Sequence, residues 1–381
     1  MSTTGLVKKA IHLAAASLLF FPAAGAVEVE PFTIPSARAN AMGGVHAAVA
    51  DDFQAIFANP AGFVGAEPEL SVAALSIGVY GPVFDMIDST LTYLDTEELD
   101  FSGLIGPHGL RTGIDASGPL SFGYVGEGIG FGVFNRTYVS ASARGLTLDA
   151  RANEDLLLAG GYAFRFAPKG GHLVDAGFLA KGFLRGTLPV ESSILTVTDI
   201  GDPVSEKPFD SIAGVGLDLG LRYDFSRLFS AALVCRDIYS PAVVTTYSSA
   251  EAFIDGTDED PTSRYGQVRP RLDVGVSYSP RIVLLERYIS GLVLALDYHD
   301  ILDLYELIPR NPILNVGLGA ELQVLDVLSL RAGIADALPS AGFGLDMRFV
   351  RLDFTMRGRE FGYDPGYMPV FAMDLDLLFR Y

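Results

Sequence analysis

The sequence predicts an all-β fold: a transmembrane antiparallel β-barrel of about 14 strands with an N-terminal plug in its lumen. Three observations lead there. Apolar residues fall at every second position along many short segments, which sorts them onto one face of a strand. Hydrophobic residues make up 49% of the chain, yet no run of 18 apolar residues follows residue 26, so no helical span takes them up. The connections between alternating segments are by turns short and long, which is the rhythm of outer-membrane barrels. A soluble sandwich has no reason to keep long and short connections at opposite ends.

Residues 1–26 read as a secretory leader. Lys8 and Lys9 form the basic start, Ile11 to Phe21 the apolar stretch, and Ala24-Gly25-Ala26 the small-residue cleavage site. No Cys follows that site, which argues against a lipoprotein. Removing the leader takes two Lys and no acid, leaving a formal charge of −21 against −19 for the whole chain. So acidic a chain is not expected to bind nucleic acid, which asks for a basic face. The single cysteine, Cys235, rules out an internal disulfide and a Cys-rich metal site.

Segment by segment, alternation places strands at roughly 70–79, 118–126, 128–138, 155–167, 172–186, 211–224, 227–237, 269–279, 289–300, 312–323, 327–335, 340–349, 350–358 and 370–381. In Ala213–Asp224, Val215, Leu217, Leu219 and Leu221 share one face and Gly214, Gly216, Asp218 and Arg222 the other. The last strand sets Phe371, Met373, Leu375, Leu377, Phe379 and Tyr381 against Ala372, Asp374, Asp376, Leu378 and Arg380. Long loops are expected at 80–117, 139–154, 187–210, 238–268, 301–311 and 359–369, and an even strand count puts both chain ends on the periplasmic side. Phe84, Ile87, Leu91 and Leu94 predict a short amphipathic helix over the barrel mouth. With no Trp in the chain, an aromatic belt would use Tyr80, Tyr162, Tyr223, Tyr278, Tyr298 and Tyr381.

Residues 27–69 do not alternate. They carry Gly43-Gly44, Asp51-Asp52 and Asn59-Pro60-Ala61. Asp51 or Asp52 would cap a short helix running to Phe57, and Asn59-Pro60 would end it. The domain division is therefore leader 1–26, plug or hatch 27–69, and barrel 70–381. On the third strand Gly128, Gly130 and Gly132 share one parity. They leave either a groove for passage or room for a closely packed plug.

No nucleophile motif accompanies His46, His108, His172 or His299, no two His have zinc-ligand spacing, and Asp258-Glu259-Asp260 lacks the spaced ligands of a calcium loop. No enzyme activity, cofactor or metal is expected. Inward charges, namely Arg165, Lys181, Arg185, Asp218, Arg222, Arg236, Arg271, Asp273, Asp297, Glu321, Arg331, Arg351, Asp353 and Arg357, would either brace the lumen or meet a ligand carboxylate. Phe53, Phe57, Phe63 and Phe183, with Arg185 and Arg222, are candidates for lining a ligand passage. Simple packing would explain the Phe residues equally well.

The run from Arg38 through Met42-Gly43-Gly44, Ala48-Val49-Ala50-Asp51-Asp52 and Asn59-Pro60-Ala61-Gly62-Phe63 resembles the N-terminal hatch of FadL/TodX-type outer-membrane proteins and of their PorV-like and spirochaete-type relatives. Leu330-Arg331-Ala332-Gly333 and Glu360 to Gly366 resemble them more loosely. The resemblance implies a fourteen-stranded barrel that takes up fatty acids or other hydrophobic molecules passively, with lateral exit beside the third strand. It implies membrane lipids and, through the strand ending at Tyr381, the barrel-assembly machinery as partners. The alternative is a structural or assembly barrel that docks exported proteins, or a surface antigen.

Overall fold

The computed structural model describes residues 26–83, 109–144, 147–168, 170–193, 207–226, 228–258, 260–280 and 288–381. Its strands are β1 (Val27–Val29), β2 (Glu69–Gly81), β3 (Leu110–Gly126), β4 (Ile129–Arg144), β5 (Thr147–Phe166), β6 (His172–Ser193), β7 (Phe209–Phe225), β8 (Phe229–Tyr239), β9 (Pro241–Tyr247), β10 (Thr262–Val268), β11 (Arg271–Tyr278), β12 (Ile289–Tyr298), β13 (Val316–Val324), β14 (Leu328–Ala335), β15 (Leu338–Met347), β16 (Val350–Glu360) and β17 (Pro369–Arg380). β8 and β9 form one stave broken at Ser240, since both pair with β7. β10 and β11 form another, broken at Arg269-Pro270, where Pro cannot donate to the ladder.

Counted this way the wall has fourteen antiparallel staves, and it closes. β17 pairs with β2 from Phe371↔Gly81 to Arg380↔Ser71. Tyr381 and Leu70 then exchange backbone hydrogen bonds of 2.9 and 3.0 Å. The terminal strand thus meets the first stave near residue 70.

The wall is apolar outside and polar inside, the reverse of a soluble barrel. On β5, Leu158, Phe164 and Phe166 face out at 62%, 57% and 65% exposure, while Asp155, Leu157, Ala159 and Ala163 face in and are buried. A closed wall with a greasy exterior is built to stand in lipid, where every backbone group must be satisfied within the sheet.

Every predicted strand is present, but several run further toward the long-loop end. β3 begins at Leu110, β5 at Thr147, and β6 continues to Ser193. The loop expected at 139–154 is instead the hairpin of β4 and β5. The loop expected at 238–268 contains β9 and β10. One side of the barrel is therefore tall (β3 to β10) and the other short (β12 to β15, eight to ten residues each). The expected helix over Phe84 to Leu94 lies outside the described residues. Tyr80 is no belt residue: it faces inward, buried, with its hydroxyl 2.8 Å from that of Tyr138.

β1 departs from the antiparallel pattern. It runs parallel to β10, Val27↔Gly266 to Val29↔Val268. β12 stops at Tyr298 and reaches only as far as Val274 of β11. The edge of β10 above it is free, and β1 covers part of it from within the barrel. The first described residues therefore sit in the long-loop half, whereas Tyr381 sits at the short-turn end.

Candidate functional site

Residues 30–66 touch opposite walls of a closed barrel, which is possible only from inside. Helix Ala37–Ala41 packs on β14 to β17, and the turn Pro60–Val64 packs on β3 to β7. The sequence makes each contact close. Ser36 Oγ accepts from Ala39 N at 3.3 Å and starts the helix. Ala37 and Ala41 are fully buried, and their smallness lets the helix backbone meet the wall: Ala37 N donates to Asp376 at 2.6 Å, and Ser340 Oγ donates to Ala41 O at 3.0 Å. Gly43 and Gly44 close the helix in the left-handed region (φ +70° and +78°). At Gly43 a Cβ would lie 2.3 Å from Leu318 O on β13.

Asn59-Pro60-Ala61 works as a wedge. Asn59 Nδ2 donates to Ala47 O at 2.8 Å and its Oδ1 accepts from Ala61 N at 3.0 Å. The wedge presses on glycines of the wall. A Cβ at Gly220 would be 2.0 Å from Asn59 Oδ1, and one at Gly177 would be 2.5 Å from Pro60 O. The expected helix between Asp51 and Phe57 is a single turn, Ala55–Ala58, with Asp52 Oδ1 accepting from Gln54 N at 3.0 Å.

The segment is held differently on its two sides. Toward the tall wall the contact is mainly apolar, with Arg185 and Arg222 donating to the Glu30 and Ala50 carbonyls besides. Phe57 meets Phe134 edge-on at 4.8 Å between centroids, and Phe53 lies 6.0 Å from Phe134. Phe63 is completely buried, and its ring would be 2.7 Å from a Cβ at Gly130. The Phe134 ring stands likewise over Gly132, and Gly128 is a turn residue at φ +84° rather than part of the strand. The glycine face of β4 is therefore filled by aromatic rings. Phe183 faces in and covers Gly214.

Toward the short wall the contact is ionic. Arg38 reaches Asp51, Asp52 and Glu321 at 2.6 to 2.8 Å. Arg351 joins Asp52 at 2.9 Å, Arg331 links Glu321 to Asp353, and Asn40 donates to Asp374 at 2.9 Å. Burial pushes the Asp52 carboxyl up, but Arg38 and Arg351 outweigh it and hold the group well below the usual carboxylate range. Burial works against the charge of Arg38, and its acidic neighbours overcome that and raise it.

The inward charges named from sequence are nearly all braces. Arg165 and Arg222 share Asp175, Lys181 bridges Asp218 and Asp237, and Arg185 grips Asp155 and donates to Glu30 O. Arg222 also donates to Ala50 O at 3.1 Å. Arg236 pairs with Asp273, and Arg357 with Asp374. Arg271 is different: its Nε and Nη2 have no hydrogen-bond partner among the described residues. Two further arginines escaped the sequence reading. Arg111 and Arg359 stack on Phe361 at 4.5 and 4.4 Å, and among the described residues neither has a carboxylate partner.

Folding also joins His46 to His299. The rings stack at 5.2 Å and 8°. His46 Nδ1 lies 2.7 Å from Gly44 O and Nε2 3.1 Å from Asp273. His46, Asp273 and His299 offer three ligand atoms within 4.8 Å of one another. Parallel rings cannot both aim a lone pair at one ion, so the stack as it stands is a packing contact. His299 lies just beyond β12, and burial, then His46, lower it to about 4.

The wall is interrupted next to this segment. β2 and β3 pair up to Ser71↔Gly123 and resume at Ser76↔Ser117, so 72–75 and 118–122 are unpaired with each other. β3 also bulges against β4 between Ser117 and Ser121. The longer interruption lies between the first and second staves, and the bulge faces the third. Behind it is a cavity of about 40 Å³ lined by Phe53, Phe57, Leu75, Ser121 and Leu378. A larger one of about 170 Å³ shares Ile34, Gln54 and Phe57 with it and reaches Arg236.

No family model and no curated protein matches this chain. Among solved structures it is similar to the Pseudomonas putida toluene transporter TodX (12% identity, 93% of this chain and 98% of that one, TM-score 0.43). It is similar to the Ralstonia pickettii toluene transporter TbuX (12%, 92% and 98%, 0.45). A Pseudomonas aeruginosa FadL homologue aligns at 10% identity over 91% and 99%, with a TM-score of 0.43. At such identities the likeness concerns only the fold, and the fold of this chain rests on its own strand pairings: a closed barrel of fourteen antiparallel staves.

Proposed function

We propose that this protein is a bacterial outer-membrane channel for passive uptake of hydrophobic small molecules, with residues 27–69 acting as a hatch. The observation that carries the reading is a cavity between the N-terminal segment and the interrupted β2–β3 pairing, adjoined by a larger one within the segment that reaches Arg236. A ligand entering at the long-loop mouth would displace part of the hatch and leave sideways between β2 and β3. The Phe53 and Phe57 rings line that route. At the mouth an anionic head group would meet Arg111 and Arg359, which have no carboxylate partner among the described residues.

In this reading the short-turn end, with Tyr381, faces the periplasm, the leader 1–26 is removed on export, and the strand ending at Tyr381 is the handle for barrel assembly. The solved proteins named above are a toluene transporter from each of two bacteria and a FadL homologue, so long-chain fatty acids and monoaromatic hydrocarbons are the ligands to try first. Uptake of labelled palmitate and labelled toluene should be measured in cells making the full chain, the chain lacking 27–68 (Glu69 is kept because it opens β2), or neither. Protein-dependent uptake of at least one compound is expected, and its rate should change when the hatch is absent. No protein-dependent uptake of either compound would favour the docking role.

A further inference from the structure

The loop between β12 and β13 displays large apolar side chains that the barrel does not use. Leu304, Tyr305, Leu307 and Ile308 are 43%, 84%, 99% and 68% exposed, and Ile313 is 55% exposed. The acids of the same loop are engaged in pairs, although Glu306 remains 39% exposed. Asp300 and Glu306 pair with Arg269. Asp303 accepts from Asn315 Nδ2 and Arg310 N at 3.1 and 3.2 Å. The charges are thus paired off, and an apolar crest is left outside. The neighbouring loop is tied to it, Asn311 N donating to Tyr363 O at 2.8 Å, and adds Tyr363 and Tyr367 at 62% and 58% exposure. An exposed cluster of this kind marks a contact surface.

Strand length says what the contact is. β12 has ten residues and β13 nine. Tilted strands of about 9–11 residues just cross the hydrocarbon layer. The loop therefore leaves the wall at the headgroup boundary, continuous with the outward band of Leu294, Leu296 and Leu318. On the tall side, β10 continues for seven residues past the Arg269-Pro270 break, about 23 Å of extended chain. The loop at 248–261 is thereby carried clear of that boundary. Large apolar residues together with Tyr are the side chains that settle at a membrane interface.

We propose that residues 301–313, with Tyr363 and Tyr367, form a membrane-interface anchor seated in the outer face of the lipid bilayer, so that the short side of the rim sits in lipid while the tall side stands in water. This rests on the membrane-spanning reading of the wall.

The chain has no Trp, so one introduced Trp reports without background. Leu307→Trp, Leu294→Trp and Ile254→Trp would be compared in bilayers of phospholipid brominated along the acyl chain. Ile254, on the tall-side loop, is 78% exposed and serves as the water control. Heat-modifiable migration on gels confirms each fold. The Leu307→Trp signal should be quenched to within a factor of about two of the Leu294→Trp signal, with blue-shifted emission, while Ile254→Trp stays unquenched. Quenching at 294 without quenching at 307 would overturn the anchor and leave the barrel reading standing. No quenching at either would overturn both.

Discussion

The N-terminal segment meets the tall wall mainly through apolar rings and the other side mainly through ions. On the tall side Phe53, Phe57 and Phe63 sink into rings and glycines of β4, and Pro60 bears on glycines of β6 and β7. On the short side Arg38, Asn40 and Asp52 engage Glu321, Asp374 and Arg351. Apolar contact is non-directional and tolerates small shifts. Buried ion pairs are directional, and breaking one strands a charge. If the segment works as the proposed hatch, the tall side would be its hinge and the short side its latch. The β2–β3 interruption lies between the two, where a segment pivoting away from the latch would first uncover the wall.

The largest expected effect comes from breaking the latch. Arg38→Ala strips three carboxylates of one shared cation and should weaken docking by about 3–5 kcal/mol. Limited proteolysis should then cut between residues 30 and 60 while the barrel stays heat-modifiable. An uncut segment would mean that the ionic side does not hold it. Phe63→Ala on the hinge side leaves a hole beneath β4. It should cost about 3–5 kcal/mol of stability by the usual large-to-small penalty, read from thermal unfolding, but should leave the latch closed to protease. If it released the segment as Arg38→Ala does, the two sides would not differ.

Gly130→Ala places a methyl against the Phe63 ring and should destabilise by about 1–3 kcal/mol. The double variant with Phe63→Ala should recover part of that loss, and additivity would deny the contact. The smallest effect is on pH. The His299 ring is depressed in the folded state to about 4. Its contribution is therefore complete above its unfolded value near 6.5 and lost progressively as pH falls toward 4. Asp52 is also depressed, and its contribution persists until pH drops below the ordinary carboxylate range. Stability measured between pH 7.5 and 4.5 should decline in the wild type and be flatter in His299→Gln. Equal slopes would remove the stack from the account.

What the sequence discloses follows from which forces are local. Alternation of period two is local, so all fourteen staves are legible wherever one face meets lipid. Beyond the lipid both faces of a strand are wet, and the signal vanishes. That is why Thr147 to Glu154 (Thr-Leu-Asp-Ala-Arg-Ala-Asn-Glu) reads as loop yet forms the start of β5. In the N-terminal segment, Asn59-Pro60-Ala61 and Gly43-Gly44 stand out because their backbone chemistry is local too. The partners of Arg38 and the meeting of His46 with His299 are not legible. Strand register across the closed barrel sets those contacts, and no spacing within the chain encodes them.

The central claim is that the segment must leave the short wall for ligand to pass. Asn40→Cys with Asp374→Cys, in a chain whose Cys235 is replaced by Ser, places two thiols where a hydrogen bond of 2.9 Å now joins hatch and wall. Uptake of the transported compound should stop when the pair is oxidised and return on reduction. Undiminished uptake through the oxidised, cross-linked protein would contradict the account.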